Sequence, residues 1–545
     1  MKNILFLRNY TVEPIISDLE NLLLKKKLFY NFELSNYDNY ISLILKKNFP
    51  KKKYSFIFVS ISFDVFFKKN FLKKKIDKNL CSIILQELNI IITSIKEKKI
   101  KLLLILLPTI GIYSHNFNKF LYKEKKEIKK KYNNIDIIDL DEIYTNNKKF
   151  FYSKKHWNSS LFPFESKVSK IISKKLSNYL LHQNGKNHKL IIVDADNTLW
   201  GGVIGEDGIS KINLGKNKIG AFFKKFQLDL LFLKNKGIVL ALCSKNNLDE
   251  IKNLFHIRSK EMHIKLSDFT IIKANWNNKA ENIMQILKEV NLSPENSLFI
   301  DDNSHEIDLV KNQIPKIDCF QIKPNEQNIS IVDNVVNFLS TKLTNEDKNR
   351  TKFYNQEIKR NIFKNKSLNL DKYIKDLNIN LTIRVNSKKN IDRLSQLTQR
   401  TNQFNTTTVR MTSSDVKDYL DNKTNYVFEL SANDKFGDYG IIGIAFVKTY
   451  NNQKAIIENF LFSCRAIGRE MEDYFIINII KFLESKRINR LYINFTFNKK
   501  NVVAKEYFNN KNILIRNNLK KQTIKICKNN FINTSKLLMK VNYEI

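Results

Sequence analysis

Two aspartates stand two residues apart where an apolar run ends, in Ile191-Ile192-Val193-Asp194-Ala195-Asp196-Asn197-Thr198-Leu199-Trp200. Residues two apart on a strand share one face, so both carboxylates can converge on one substrate as the chain leaves the sheet. Ser244, Lys279 and the pair Asp301-Asp302 follow later apolar runs in that order. Phosphoryl transfer needs a nucleophile, a proton donor for the leaving oxygen and cations to neutralise phosphate charge. Asp194 is the candidate nucleophile, and Asp196 the candidate acid and base. Thr198 and Ser244 offer hydroxyls to phosphoryl oxygens, and Lys279 offers a cation. Asp194, Asp196, Asp301 and Asp302 supply hard oxygens of the kind that hold Mg²⁺. Any one aspartate pair alone is as well explained by a helix cap or a turn. The whole set in this order is not.

A second cluster lies near residue 464. A strand expected over 455–463 runs into Cys464-Arg465-Ala466-Ile467-Gly468-Arg469 and then a helix. Such a junction presents backbone N–H groups, and two guanidiniums suit a pyrophosphate or a phosphopantetheine phosphate. Arg465, Gly468 and Arg469 are therefore candidate substrate-binding residues. Cys464, beside those charges and a helix end, favours the thiolate and is a candidate nucleophile. The bland alternative is an inert buried thiol.

Positioning these groups takes three domains. Residues 1–185 alternate strand-length apolar runs at 4–7, 56–61, 102–107 and 135–140 with helical stretches, which predicts a parallel sheet. A helix near 163–181 closes that domain, and Gln183-Asn184-Gly185-Lys186 makes a polar linker. Residues 186–340 form a second α/β unit, with strands over 190–194, 238–243, 269–273 and 297–300. Its helix over 217–236 ends at Gly237. The chemistry-bearing residues fall at the C-terminal ends of these strands, where open α/β sheets bind ligands. Residues 341–377 read as a linker helix. Residues 378–545 read as an α+β domain, with helices near 388–399 and 468–485 and strands over 426–431, 440–448, 455–463 and 490–496. Glycine is scarce, at 13 in 545 residues. The clusters Gly201–Gly208 and Gly437–Gly443 therefore mark backbone that needs positive φ or close approach.

Composition limits the alternatives. No apolar run approaches the ~18 residues needed to span a bilayer. The cysteines include no C-x-x-C pair, so neither a zinc site nor a disulfide framework is indicated. A cytoplasmic protein without a membrane partner is expected. The net charge of +39 has the sign for nucleic-acid binding. The lysines are nonetheless spread along the whole length, as in Lys25-Lys26-Lys27 and Lys129-Lys130-Lys131, with no stripe of interleaved aromatics. Codon usage in an AT-rich genome accounts for the charge better, so nucleic acid is not an expected partner.

The motif order resembles the haloacid-dehalogenase (HAD) superfamily of aspartate-nucleophile phosphotransferases. The longer string from Asp194 through Trp200-Gly201-Gly202 to Gly205-Glu206-Asp207-Gly208 is similar to the FkbH-like branch. So are Cys243-Ser244-Lys245-Asn246-Asn247, Trp276 through Lys279, and Asp301-Asp302-Asn303. About 48 residues separate Asp196 from Ser244, too few for a large cap domain, so the site should admit large substrates, including a group carried on a protein. Leu397 through Asn405, Lys435 through Gly440 and Ser463 through Glu470 also look like FkbH-like signatures. The resemblance implies a GNAT-like fold for the third domain and an SGNH-hydrolase-like, flavodoxin-like α/β fold for the first.

It further implies a Mg²⁺-dependent phosphatase coupled to acyl transfer. Such an enzyme takes 1,3-bisphosphoglycerate, a small phosphorylated three-carbon substrate, and loads a glyceryl group on an acyl carrier protein for polyketide-type biosynthesis. Two departures from the pattern stand out. Asn501 and Tyr507 resemble the Asn and Tyr of the GNAT final helix, but Phe508-Asn509-Asn510-Lys511 follows in place of Gly-Phe. In the first domain Thr11 is the hydroxyl nearest the place of an SGNH serine, and His156 has no aspartate three residues before it. A structural or docking role is expected there, with His156-Trp157 a candidate ligand contact. Two other readings compete: a stand-alone HAD phosphatase of a small phosphorylated metabolite, and a basic nucleic-acid-binding or end-processing protein.

Overall fold

The computed structural model describes residues 2–37, 39–46, 49–50, 54–62, 78–97, 100–107, 123, 126–127, 135–147, 150–215, 217–323, 331–335, 349–367, 369–450, 453–463, 465–498, 501–513, 515, 521–531 and 539–544. The chain divides into two compact units, 1–180 and 181–545. The first carries strands β1 (Lys2–Arg8), β2 (Tyr30–Leu34), β3 (Phe56–Ser60), β4 (Lys101–Leu106) and β5 (Asp136–Asp139). They pair in parallel in the order β2-β1-β3-β4-β5, the α/β layout expected for this region. β3 and β4 are almost wholly buried, as strands of a sheet covered on both faces must be. The edge strand β2, half-exposed and carrying Asn31 and Glu33, gives no apolar run and escapes a sequence reading. Thr11 Oγ1 is bound to the Ser160 carbonyl and to the Tyr37 hydroxyl. His156 Nδ1 lies 3.0 Å from the Phe164 carbonyl. Among the described residues these two do not hydrogen-bond to each other.

The second unit holds two sheets. β6 (Leu190–Val193), β7 (Val239–Ser244), β8 (Ile271–Ala274), β9 (Ser297–Asp301) and β10 (Asp318–Gln321) form a parallel sheet in the order β10-β9-β6-β7-β8. Alternate residues feed opposite cores: Ile191, Val193, Leu240 and Leu242 face one, and Leu190, Ile192, Val239 and Ala241 the other. That alternation is the period of two that a pleated strand imposes. Because every strand runs the same way, Asp194, Ser244 and Asp301 come to one end of the sheet.

The third sheet comprises β11 (Asn380–Val385), β12 (Asn425–Asp434), β13 (Gly437–Tyr450), β14 (Lys454–Phe462), β15 (Arg490–Phe495), β16 (Gln522–Ile526) and β17 (Lys540–Glu544). Its order is β16-β15-β14-β13-β12-β11-β17. β11 to β14 are antiparallel neighbours, β14 and β15 are parallel, and the helix Met471–Ser485 crosses over between those two. This is the mixed arrangement expected of a GNAT-like domain. β14 and β15 pair only from Lys454–Arg490 to Ile457–Ile493 and then part. Residues 404–406 enter the gap. Phe462 N–H donates to the Phe404 carbonyl, Thr406 N–H to the Phe460 carbonyl, and Thr496 N–H to the Thr406 carbonyl at 2.7 Å.

Where one linker helix was expected over 341–377, there are two, Arg350–Asn365 and Leu370–Leu377. Residues 341–348 lie outside the described residues. The longer helix has a partner on each side. Tyr354 packs into the core beneath β6 and β7, and Arg350 Nη1 donates to the Gly237 carbonyl at 2.6 Å. From the same helix Arg360 donates two hydrogen bonds to Asp434, at 2.7 and 2.9 Å, and stacks 3.6 Å from the centre of the Tyr439 ring. An arginine this buried is tolerable only because its fork is matched by a carboxylate.

Candidate active site

β6 is four buried apolar residues, and Asp194 is the first residue past its end. The Asp194 N–H still donates to the Ile300 carbonyl at 3.0 Å, which fixes the carboxylate's base against β9. The chain then reverses. Asn197 takes a left-handed φ of 52° and Gly202 one of 104°, and Asn197 Oδ1 accepts from the Gly202 N–H at 2.9 Å. A side chain on Gly202 would need a strained backbone and would meet Asp207. The turn folds Trp200, fully buried, back so that its Nε1–H donates to Asp196 Oδ1 at 2.8 Å.

Lys279 opens the helix Lys279–Glu289, whose cap Asn278 accepts from the Ala280 N–H. Its Nζ reaches down to donate to Asp194 Oδ1 at 2.8 Å and Asp301 Oδ2 at 2.7 Å. Burial opposes charge on this ammonium, yet the Asp194 and Asp301 carboxylates hold it above its ordinary value. Burial, then the Asp194 charge, push both Asp301 and Asp302 up. One oxygen each of Asp194, Asp301 and Asp302 lie within 4.8 Å of one another. Three converging carboxylate oxygens at the edge of a buried site are the donor set Mg²⁺ takes.

The sequence expectation also counted Asp196 among the metal ligands; its carboxylate oxygens lie outside that side-chain set. Its oxygens are taken up by the Trp200 indole, by Asn246 Nδ2 at 2.8 Å and by the Ile204 N–H at 3.3 Å. Burial nevertheless raises Asp196 above the ordinary carboxylate value, which suits a proton donor better than a ligand. Ser244 ends β7, buried, and its Oγ accepts from the same Asn246 Nδ2 at 3.2 Å. Asn246 therefore orients the acid and the hydroxyl together. Sequence reasoning gave it no role, although its place two residues past Ser244 was the available signal. The buried Thr198 Oγ1 has no hydrogen-bond partner among the described residues. Between Asp196 and Lys279 the described chain adds only a turn, helices Lys218–Asn235 and Leu248–Ile257, a short 3₁₀ turn and two strands. Among the described residues no cap domain is inserted between Asp196 and Lys279.

The second predicted cluster differs more. Cys464 lies outside the described residues. Arg469, expected to bind phosphate, is buried and engages Glu357, the Tyr373 hydroxyl at 3.2 Å and the Arg465 carbonyl at 2.6 Å. Arg465 donates to the Tyr439 carbonyl at 3.2 Å and lies 4.7 Å over the Phe353 ring. Gly468 has a φ of 81° with open space around it, but its N–H is taken by Glu472 Oε1 at 2.9 Å. The helix after it opens with Glu472 and Asp473, charges that disfavour an anion there. The two arginines hold the linker helices to this domain rather than presenting a phosphate cradle. Asn501 donates to the Asn405 carbonyl, and Tyr507 donates to Asp473 at 2.5 Å.

No family profile and no curated protein matches the chain. Among solved structures it is similar to the N-terminal part of protein BF1531 from Bacteroides fragilis, described as containing a phosphatase domain complexed with Mg. The two are 25% identical over 59% of this chain and 90% of that one, with a TM-score of 0.52. The middle domain is a HAD-type phosphatase domain. Weaker likenesses are to 3-deoxy-D-manno-octulosonate 8-phosphate phosphatase from Moraxella catarrhalis (18% identity, 24% of this chain and 67% of that one, TM-score 0.17). Another is to the spermidine N-acetyltransferase SpeG of Vibrio cholerae (12%, 29% and 98%, TM-score 0.21). Neither of these two carries an argument. In the HAD domain itself, the Mg²⁺ of the Bacteroides structure agrees with the carboxylate set Asp194, Asp301 and Asp302. No described helix is long and apolar enough to cross a membrane.

Proposed function

We propose that the chain is an FkbH-like enzyme that removes phosphate from a three-carbon acyl group and passes the glyceryl group to an acyl carrier protein. The observation that carries the phosphatase half is the Lys279 bridge between Asp194 and Asp301, with Asp196 held apart on Trp200 and Asn246. A nucleophile beside a fixed cation and an acid kept in a separate, buried hydrogen-bond cradle are the parts that phosphomonoester hydrolysis requires.

The Cys464 thiolate attacks the acyl carbon of 1,3-bisphosphoglycerate. A C–S bond forms, the bond from the acyl carbon to the phosphate oxygen breaks, and inorganic phosphate leaves. An Asp194 oxygen then attacks the 3-phosphorus. The bond from phosphorus to the C3 oxygen breaks, and Asp196 gives that oxygen its proton. Asp196 next takes a proton from the water that hydrolyses the aspartyl-phosphate, which releases phosphate and restores Asp194. Asp194, Asp301 and Asp302 would hold Mg²⁺, which when bound would supply neutralisation of phosphoryl charge. The glyceryl group finally moves from Cys464 to the carrier's phosphopantetheine thiol, thiolate for thiolate. The capless mouth of the HAD domain favours a substrate carried on a larger group.

One set of observations favours a second reading, a HAD phosphatase of a small free metabolite. Arg469 is buried in an ion pair, and residues 404–406 fill the gap between β14 and β15, so the third domain offers fewer ligand contacts than its sequence promised. Mass spectrometry of a carrier protein incubated with enzyme, Mg²⁺ and 1,3-bisphosphoglycerate separates the two. The loading reading requires a glyceryl adduct on the carrier. Free phosphate without any adduct would leave the second reading.

A further inference from the structure

Trp276 is three-quarters exposed. A lone exposed apolar side chain needs no explanation, but this one lies on the loop between β8 and the helix that Lys279 opens. It stands three residues ahead of Lys279, whose ammonium contacts the nucleophile. The loop that carries it is braced on both sides. The Asn275 N–H donates to the Ser244 carbonyl at 3.2 Å, and the Asn275 and Asn282 side chains exchange hydrogen bonds at 2.9 and 3.3 Å. The Asn277 N–H donates to Asn275 Oδ1 at 3.0 Å, and Asn278 caps the following helix. Among the described residues the indole meets no other aromatic ring and no hydrogen-bond acceptor. A hydrogen-bonded loop therefore carries an exposed indole at the end of the sheet where Asp194, Ser244 and Asp301 gather.

We infer that Trp276 is a specificity-determining residue of the HAD site. Its indole is the platform for the planar, uncharged part of the substrate that extends beyond the phosphate. The floor of the site, Asp194, Lys279, Asp301 and Asp302, deals in charge and takes the phosphoryl group. With no cap domain inserted among the described residues between Asp196 and Lys279, whatever the phosphate is attached to meets the rim. The neighbours of Trp276 along the loop are neutral amides, Asn275, Asn277 and Asn278. Neutral amides and an aromatic face suit a thioester and the amides of a pantetheine-like arm, which stack flat and hydrogen-bond without charge. A free carboxylate such as that of 3-phosphoglycerate gains little from such a surface. This inference rests on the thioester reading above and names the residue that reads the thioester.

The test compares wild type, Trp276→Ala and Trp276→Phe in the full-length chain with Mg²⁺. The probes are 3-phosphoglyceryl N-acetylcysteamine thioester and 3-phosphoglycerate as substrates, and inorganic phosphate as competitive inhibitor. Wild type is expected to show a lower KM for the thioester than for free 3-phosphoglycerate. Trp276→Ala should raise the thioester KM by about tenfold, the size of a lost stacking contact, with kcat within about twofold. The phosphate inhibition constant should stay in place, and Trp276→Phe should recover most of the loss. A wild type that prefers the thioester, with a Trp276→Ala variant that keeps the same preference, overturns this inference alone. A wild type with no preference overturns it together with the reading it rests on.

Discussion

The proposed nucleophile Asp194 and its cation Lys279 are legible by residue type, a carboxylate and an ammonium that each follow an apolar run. Asp196 does not. Its type allowed a metal ligand or a proton donor; the reversed turn that brings back Trp200, together with Asn246 from the neighbouring strand end, supports the proposed donor role. Asp196→Asn should accordingly lower kcat for phosphate release by roughly 10²–10⁴-fold, the usual worth of a positioned acid. Mg²⁺ affinity, measured by activation kinetics, should move little. A variant that instead needs far more Mg²⁺ for the same kcat would return Asp196 to the metal. Glu472 was not legible as a titrating group at all, since nothing in the local sequence marks it as buried. Burial pushes its carboxyl up to about 7, with Asp473 adding to the rise against the pull of Arg469 and of the Gly468 N–H it accepts. A carboxyl raised in the folded state binds its proton more tightly there than in the unfolded chain. Its contribution to stability is therefore present at low pH and is lost as pH rises from about 4.5 to 7. Glu472→Gln keeps an acceptor for the Gly468 N–H and should raise stability at pH 8 by up to roughly 3 kcal/mol. The gain should shrink as pH falls through that window, read as the difference in Tm between the two proteins at each pH. An equal difference at pH 5 and pH 8 would contradict the burial account.

At the scale of elements, the strands that carry chemistry were the legible ones. β6, β7 and β9 are apolar throughout and end in residues that stop the pattern. β2 and β10 sit at sheet edges, half-exposed, and their mixed residues give no run to read. The loop before the helix Met471–Ser485 misled for another reason. Two arginines near a helix start suggest an anion site in sequence, but the partner of Arg469 is Glu357, 112 residues away on the linker helix. No local pattern carries a contact at that separation. Arg469→Ala should therefore behave as the loss of one member of a buried ion pair, costing roughly 3–5 kcal/mol of stability and loosening the linker helix. Thermal melts and proteolysis near residues 350–365 would read it. A variant that keeps its Tm but loses affinity for a phosphopantetheine-bearing carrier would restore the phosphate-binding role.

For the whole molecule, the two α/β layouts and the α+β layout of the third domain were legible because the apolar periods of two and 3.6 alternate along the chain. How they group was not, since that depends on the faces of the helix Arg350–Asn365. Tyr354 lies in the HAD core, and Arg360 and Glu357 lie against the third domain. Residues 181–545 accordingly form one compact unit. Expressed alone, they should fold and keep the phosphatase activity of the full chain within a fewfold, whereas 186–340 alone should be unstable because its core loses Tyr354. Activity that vanishes with residues 1–180 would give the first unit a part in catalysis. The central claim is that phosphate leaves through Asp194, and rapid quench with peptide mass spectrometry tests it most directly. The full-length wild-type protein, mixed with Mg²⁺ and the 3-phosphoglyceryl thioester and quenched in acid within the first turnover, should carry a phosphoryl group on the peptide bearing Asp194. Phosphate release by the wild type with that peptide never labelled, or label that persists in Asp194→Asn, would contradict it.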